Sequence, residues 1–155
     1  MKRKDIIGKF WDIGAKYIIL TTENNDYPIY YGDIPLCYTE RRIIMLIGEN
    51  PEITVTEMAA RIRKTVSICS QTVRKFANLG WVEQTRNLQN KRIYNLTLTD
   101  EGAKVFGTCS KRYSNEKKAI INSLEKFSDE ELEIYTRIQE AINEVGEELN
   151  AAYRT

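Results

Sequence analysis

The change in hydrophobic period between residues 54 and 98 constrains this chain more than any other feature. Thr54 stands three residues ahead of Glu57, the capping-box spacing that opens a helix, and Met58, Ala59 and Ile62 then point one way. After a break at Arg63 to Thr65, Cys69, Val73 and Phe76 recur at intervals of four and three, and Gly80 is a natural helix stop. Beyond Gly80 the interval falls to two. Residues 81–86 and 92–98 read as strands, with Tyr94, Leu96 and Leu98 on one side and Asn87, Leu88, Gln89 and Asn90 as the turn. The order is helix, turn, helix, then a two-stranded wing.

The second helix, read over residues 66–79, has a polar face away from its apolar stripe: Ser67, Ser70, Gln71, Arg74 and Lys75. Hydroxyls and amides of this kind suit base edges in a DNA major groove, and the cations suit phosphates. Arg86, Lys91 and Arg92 at the wing tip extend the cationic surface toward phosphates or a neighbouring minor groove. A solvated helix face and an ordinary charged hairpin are the competing readings of the same residues.

Ser67 and Ser70, the run Leu79-Gly80-Trp81-Val82-Glu83, Arg92, and Leu98-Thr99-Asp100-Glu101-Gly102 together resemble the MarR family of winged-helix transcriptional regulators. The spacing from Val82 to Thr99 matches the family pattern without a gap. This chain carries Asn87 and Asn90 where the family often has acidic wing-tip residues, and Gln71 where it often has an arginine. The resemblance implies a homodimer on a pseudo-palindromic duplex, with an effector bound between head and stalk changing the distance between heads.

Charge distribution agrees with such a division of labour. The net charge of the 155 residues is only +1, yet residues 54–95 carry eight Lys/Arg against two Asp/Glu, whereas residues 113–155 carry five against ten. A basic head joined to an acidic stalk places the attraction for phosphate at one end. The head is expected over residues 39–98, starting with a helix that carries Ile43, Leu46 and Ile47, and residues 1–38 and 99–155 are expected to form a helical dimerisation lobe with a linking segment. All of residues 1–155 would then make one mainly α unit with a small β wing.

The first helix, expected from Asp5 to Leu20, carries two apolar stripes: Ile6, Phe10, Ile13, Tyr17 and Leu20, and beside it Ile7, Trp11, Gly14 and Ile18. That is more apolar girth than one neighbour covers, which fits burial between subunits or a large intrachain pocket. Thr99 is placed to cap a long helix. Ser128 and Glu131 open the last one, where Tyr135, Ile138, Ile142, Val145 and Leu149 have coiled-coil spacing. Packing of this stripe with the first helix across a two-fold axis is the expectation, and an intrachain bundle is its rival.

Residues 21–38 are expected as a loop or short irregular link, since Pro28 and Pro35 oppose a continuous helix. Tyr27, Tyr30, Tyr31 and Tyr38 within it offer apolar faces with a polar tip, either lining a pocket for a small aromatic effector or packing the link against its neighbours. Cys37, Cys69 and Cys109 lack metal-ligand spacing and the chain has no histidine, so no metal, no cofactor and a reducing cytoplasm are expected. Charged residues interrupt the apolar N-terminal run, which fits neither a signal peptide nor a membrane span. No nucleotide-binding glycine loop or histidine base points to an enzyme. The alternatives to a DNA-binding regulator are a winged-helix protein-interaction module and a regulator that senses oxidants through Cys37 or Cys109.

Overall fold

A computed structural model describes residues 2–152, apart from the side chains of residues 22 and 24–26. The elements run α1 (Arg3–Asp26), β1 (Ile29–Tyr31), β2 (Ile34–Leu36), α2 (Tyr38–Glu49), β3 (Ile53–Thr54), α3 (Val55–Ile62), α4 (Val66–Asn78), β4 (Val82–Arg86), β5 (Tyr94–Leu98), α5 (Asp100–Leu124) and α6 (Asp129–Ala152). The chain divides into two compact units, Met1–Arg112 and Tyr113–Thr155. Among the described residues no helix is long and apolar enough to cross a membrane.

The first unit is built around one core. Ile43, Ile44 and Ile47 of α2, Met58 and Ala59 of α3, Cys69, Val73 and Phe76 of α4, and Val105 and Cys109 of α5 bury their side chains with Trp81, Val82 and Leu96. Each of these four helices therefore contributes apolar residues from the stripe that its period marks, and α2 presses three isoleucines under the two helices of the turn. Gly48 lets α2 approach α5, because a side chain there would run into the Phe106 ring.

Local chemistry sets the boundaries. Thr54 N–H and Oγ–H both donate to Glu57 Oε2 at 2.8 Å, and Glu57 N–H donates back to Thr54 Oγ1 at 3.3 Å, which closes the expected capping box. Arg63, with a left-handed φ of 55°, ends α3 and turns the chain. Thr65 Oγ1 then accepts from Ile68 N–H to start α4. At the far end Gly80 has φ 71°, while Trp81 N–H donates to Phe76 O at 2.9 Å and Gly80 N–H to Ala77 O at 3.0 Å. This is a Schellman stop, in which the positive φ calls for glycine.

The cap also predicts an acid response. The hydrogen bonds from the Thr54 backbone and side chain hold the Glu57 carboxyl below its ordinary pKa. A depressed carboxyl stabilises the fold above its unfolded value, and that contribution disappears as pH falls through the folded one. Thr54→Ala is expected to lower stability by about 1 kcal/mol at neutral pH, with a smaller difference from the parent at acid pH. Urea unfolding followed at both pH values checks it.

Two features depart from the sequence expectation. Residues 21–38 are not an irregular link: α1 continues to Asp26, and Ile29–Leu36 forms a hairpin pairing Ile29 with Leu36, Tyr30 with Pro35 and Tyr31 with Ile34. Pro28 does end helical structure, since Tyr27 before it is extended. Pro35, however, lies in a ribbon of two edge strands, where a missing donor costs little, and Gly32 supplies the turn with φ 57°. The second departure is an added strand. Ile53 and Thr54 pair with Leu96 and Asn95, giving a three-stranded sheet in the order β3-β5-β4.

Thr99 joins wing to helix. Its hydroxyl donates to Gly80 O at 2.6 Å and accepts from Gly102 N–H at 3.0 Å, so one residue caps α5 and ties it to the end of α4. In the second unit Ser128 N–H donates to Glu131 Oε2 at 2.9 Å and Glu131 N–H to Ser128 Oγ at 3.2 Å, the second expected capping box. α6 buries none of its residues; Tyr135, Ile138, Ile142, Val145 and Leu149 are all exposed. In the first unit both stripes of α1 are likewise exposed apart from half-buried Gly14, Trp11 most of all.

Candidate nucleic-acid interface

The outward face of α4 begins with Ser67, and Ser70, Gln71 and Arg74 follow at the three-, four- and seven-residue offsets that keep side chains on one side of a helix. Ser67, Gln71 and Arg74 are exposed and Ser70 is half-buried. The face is held from behind by Cys69, Val73 and Phe76, which are fully inside the core. Its polar groups are thus displayed on a helix that cannot roll without breaking the core.

The wing stands beside this face. Ser70 and Arg74 from α4, Thr54, Val55 and Thr56 at the start of α3, and Gln84, Arg92, Ile93 and Tyr94 from the wing enclose a cleft of about 320 Å³. Two guanidinium-bearing residues, Arg74 and Arg92, therefore approach one opening from opposite walls. The N-terminus of α3 also reaches this cleft, its partial positive charge offset by the Glu57 carboxylate that caps it. Sequence patterns do not mark Thr56, Gln84 and Tyr94 as site residues, because their segments carry cap, period and strand signals that say nothing of a shared wall. Pairing of the wing with β3 is what brings them to the α3 N-terminus.

The remaining sequence candidates fall in different places. Lys75 is turned to α2, with its Nζ 2.7 Å from Glu40 Oε1. Glu40 also caps α2 by accepting from Cys37 N–H, so Lys75 braces α4 on the helix beneath it. Arg86 is exposed and stacks over the Tyr94 ring at 6.0 Å, while Lys91 and Arg92 are exposed near the tip. Arg92 N–H donates to Asn90 Oδ1 at 3.1 Å. Asn87 Oδ1 accepts from Gln89 and Asn90 N–H, so the wing-tip asparagines shape the turn.

The tyrosines do not act as one group. Tyr31 packs edge-on against Trp81 at 5.8 Å and donates from its hydroxyl to Glu101 Oε1 at 2.6 Å. That hydrogen bond, ahead of other causes, raises the Tyr31 pKa, and the bond from Lys104 to Glu101 lowers that of Glu101. Tyr27, Tyr30 and Tyr38 are exposed, and Tyr38 lies under the guanidinium groups of Arg41 and Arg42.

Burial separates the thiols. Cys69 and Cys109 are buried and their pKa values are pushed up by loss of solvent, while Cys37 is exposed. A thiol reagent added to folded protein is expected to label Cys37 at least about tenfold faster than the other two, which should react only as the fold opens. Mass mapping of the labelled peptides over time checks the order.

A helix-turn-helix whose second helix is displayed beside a three-stranded wing defines the winged-helix class. The MarR family model matches residues 36–94. The regulator BilQ of Clostridium symbiosum is 27% identical over 96 residues, 62% of this chain and 65% of BilQ, so the chain spans just under two thirds of that relative. SarZ of Staphylococcus saprophyticus is 22% identical over 117 residues, 76% of this chain and 77% of its own. Among solved structures, Streptococcus pneumoniae FabT in complex with DNA superposes with a TM-score of 0.68 at 18% identity, covering 96% of this chain and 99% of FabT. Over residues 36–94 the chain is thus similar to the MarR family.

Proposed function

We propose that this protein is a sequence-specific, DNA-binding transcriptional regulator that works as a homodimer in the cytoplasm. The observation that carries the reading is the joint wall of Arg74 and Arg92 beside the displayed face of α4. In this reading α4 enters a major groove, where Ser67, Ser70 and Gln71 meet base edges. Arg74, Arg86, Lys91 and Arg92 neutralise phosphates along the flank. Lys75 serves chiefly to brace the helix against Glu40. The kinship with BilQ and SarZ, both called HTH-type transcriptional regulators, and the fold shared with DNA-bound FabT support it.

Residues 1–38 and 99–155 would form the dimerisation lobe around the head at 39–98. The exposed stripes of α1 and α6 support a second copy as their cover, since apolar patches of this length seldom stay in water. Two heads related by a two-fold axis would then meet half-sites about one helical turn apart. A small aromatic effector would find Tyr27, Tyr30 and Tyr38 available, with Tyr31 already engaged by Trp81 and Glu101. Selection from a randomised duplex pool at two salt concentrations tests the whole reading. Recovery of a pseudo-palindrome with steep salt dependence is expected. No retention at low salt would overturn it in favour of a protein-interaction module.

A further inference from the structure

We propose that Leu88 is an apolar wedge for the DNA minor groove, an inference that rests on the DNA-binding reading above. Leu88 is 98% exposed, more than any other large apolar side chain among the described residues. The turn that carries it is nevertheless built. Asn87 N–H donates to Ile93 O at 3.0 Å and Ile93 N–H to Asn90 O at 2.9 Å, closing the loop at its base. Asn87 Oδ1 takes the N–H groups of Gln89 and Asn90, and its Nδ2 donates to Asn95 Oδ1 at 3.0 Å. These bonds fix the residues on both sides of a leucine that is itself left in water.

Its surroundings select the occupant. From Gln84 to Thr99 there is no carboxylate, whereas Arg86, Lys91 and Arg92 stand within four residues of Leu88 and are exposed. An apolar point set among cations matches a polyanion with an apolar floor. Reach fits as well. The wing leaves the end of α4 at Trp81, and a five-residue strand at about 3.4 Å per residue spans about 17 Å. Half a turn of B-DNA, the step from a major groove to the next minor one, is also about 17 Å. A minor groove about 6 Å wide admits one side chain of this size.

Leucine has no hydrogen bonds to offer there, so it would read deformability. Wedging a base step apart is least costly at pyrimidine–purine steps. The protein would therefore prefer TA or CA steps at the wing positions while making no base-specific bond to them, and would bend the duplex there.

The test compares full-length protein with Leu88→Ala on selected duplexes whose wing positions carry either a TA or a stiff AA step. Binding and end-to-end energy transfer across the duplex are read together. The parent should favour the TA duplex by about tenfold and bend it; Leu88→Ala should lose both the preference and the bend, keep the same major-groove motif, and unfold at the same temperature. Equal bend and flank preference in the two proteins would overturn the wedge while leaving DNA binding intact. Leu88-dependent capture by vesicles of anionic lipid, with a Leu88-independent duplex affinity, would overturn it in favour of a membrane contact. A parent that retains no duplex at all would remove the reading on which it rests.

Discussion

Replacing Arg74 and Arg92 together by alanine is expected to lower affinity near physiological salt about 100-fold for each half-site, roughly tenfold for each phosphate deprived of its guanidinium. The two residues sit on opposite walls of the cleft between α4 and the wing, and both are exposed. Their removal therefore takes away charge without opening the core. The plot of log affinity against log salt should become shallower by about 1.8 for each half-site, about 3.6 for the dimer, since each neutralised phosphate releases about 0.9 counterions. Lys75→Ala is the informative contrast. Lys75 is held at 2.7 Å by Glu40, so its loss should leave the salt slope nearly unchanged and show instead as a small fall in stability. Titrations across a series of salt concentrations separate the two behaviours. An unaltered affinity in the double variant would mean that this cleft does not face phosphate.

The largest stability effect is expected at Gly102. An alanine inside a helix is ordinarily favoured over glycine by about 1 kcal/mol. Gly102, however, is buried in the first turn of α5 against the end of α4, and a Cβ there would overlap the Trp81 carbonyl oxygen. That oxygen is backbone and already accepts from Thr99 N–H at 3.0 Å, so it cannot swing aside as a side chain would. Gly102→Ala should cost at least about 3 kcal/mol and displace the wing from α5. Gly107 on the same helix is exposed, and a Cβ there meets nothing. Gly107→Ala should therefore be neutral or stabilising by up to about 1 kcal/mol. Denaturant midpoints of the pair isolate the Trp81 overlap from helix propensity.

The head is legible in the sequence because each of its signals is local. Thr54 with Glu57, the stripe of Cys69, Val73 and Phe76, the stop at Gly80, and the alternation ending at Leu98 each depend on residues a few positions apart, and all reappear in the structure. What stays hidden depends on partners distant in sequence. β3 is two residues long and carries too little pattern to be read alone; its pairing with Leu96 and Asn95 makes it a strand. Pro35 disguises the hairpin, because its missing donor matters in a central strand and not at a two-stranded edge. The charge of Lys75 is visible, but not that Glu40, 35 residues away, occupies it. The same holds for Tyr31, set apart from the other link tyrosines only by Trp81 and Glu101.

The two tryptophans differ in a way that serves spectroscopy. Trp11 is 74% exposed, whereas Trp81 is 3% exposed and touches Phe76 of α4 on one side and Tyr31 of the hairpin on the other. With Trp11→Phe, the protein would keep a single blue-shifted emitter inside the head, shielded from an aqueous quencher and in contact with the helix that is proposed to read DNA. Any event that loosens α4, whether a duplex, an effector or a change of pH, would register in that emission without a label.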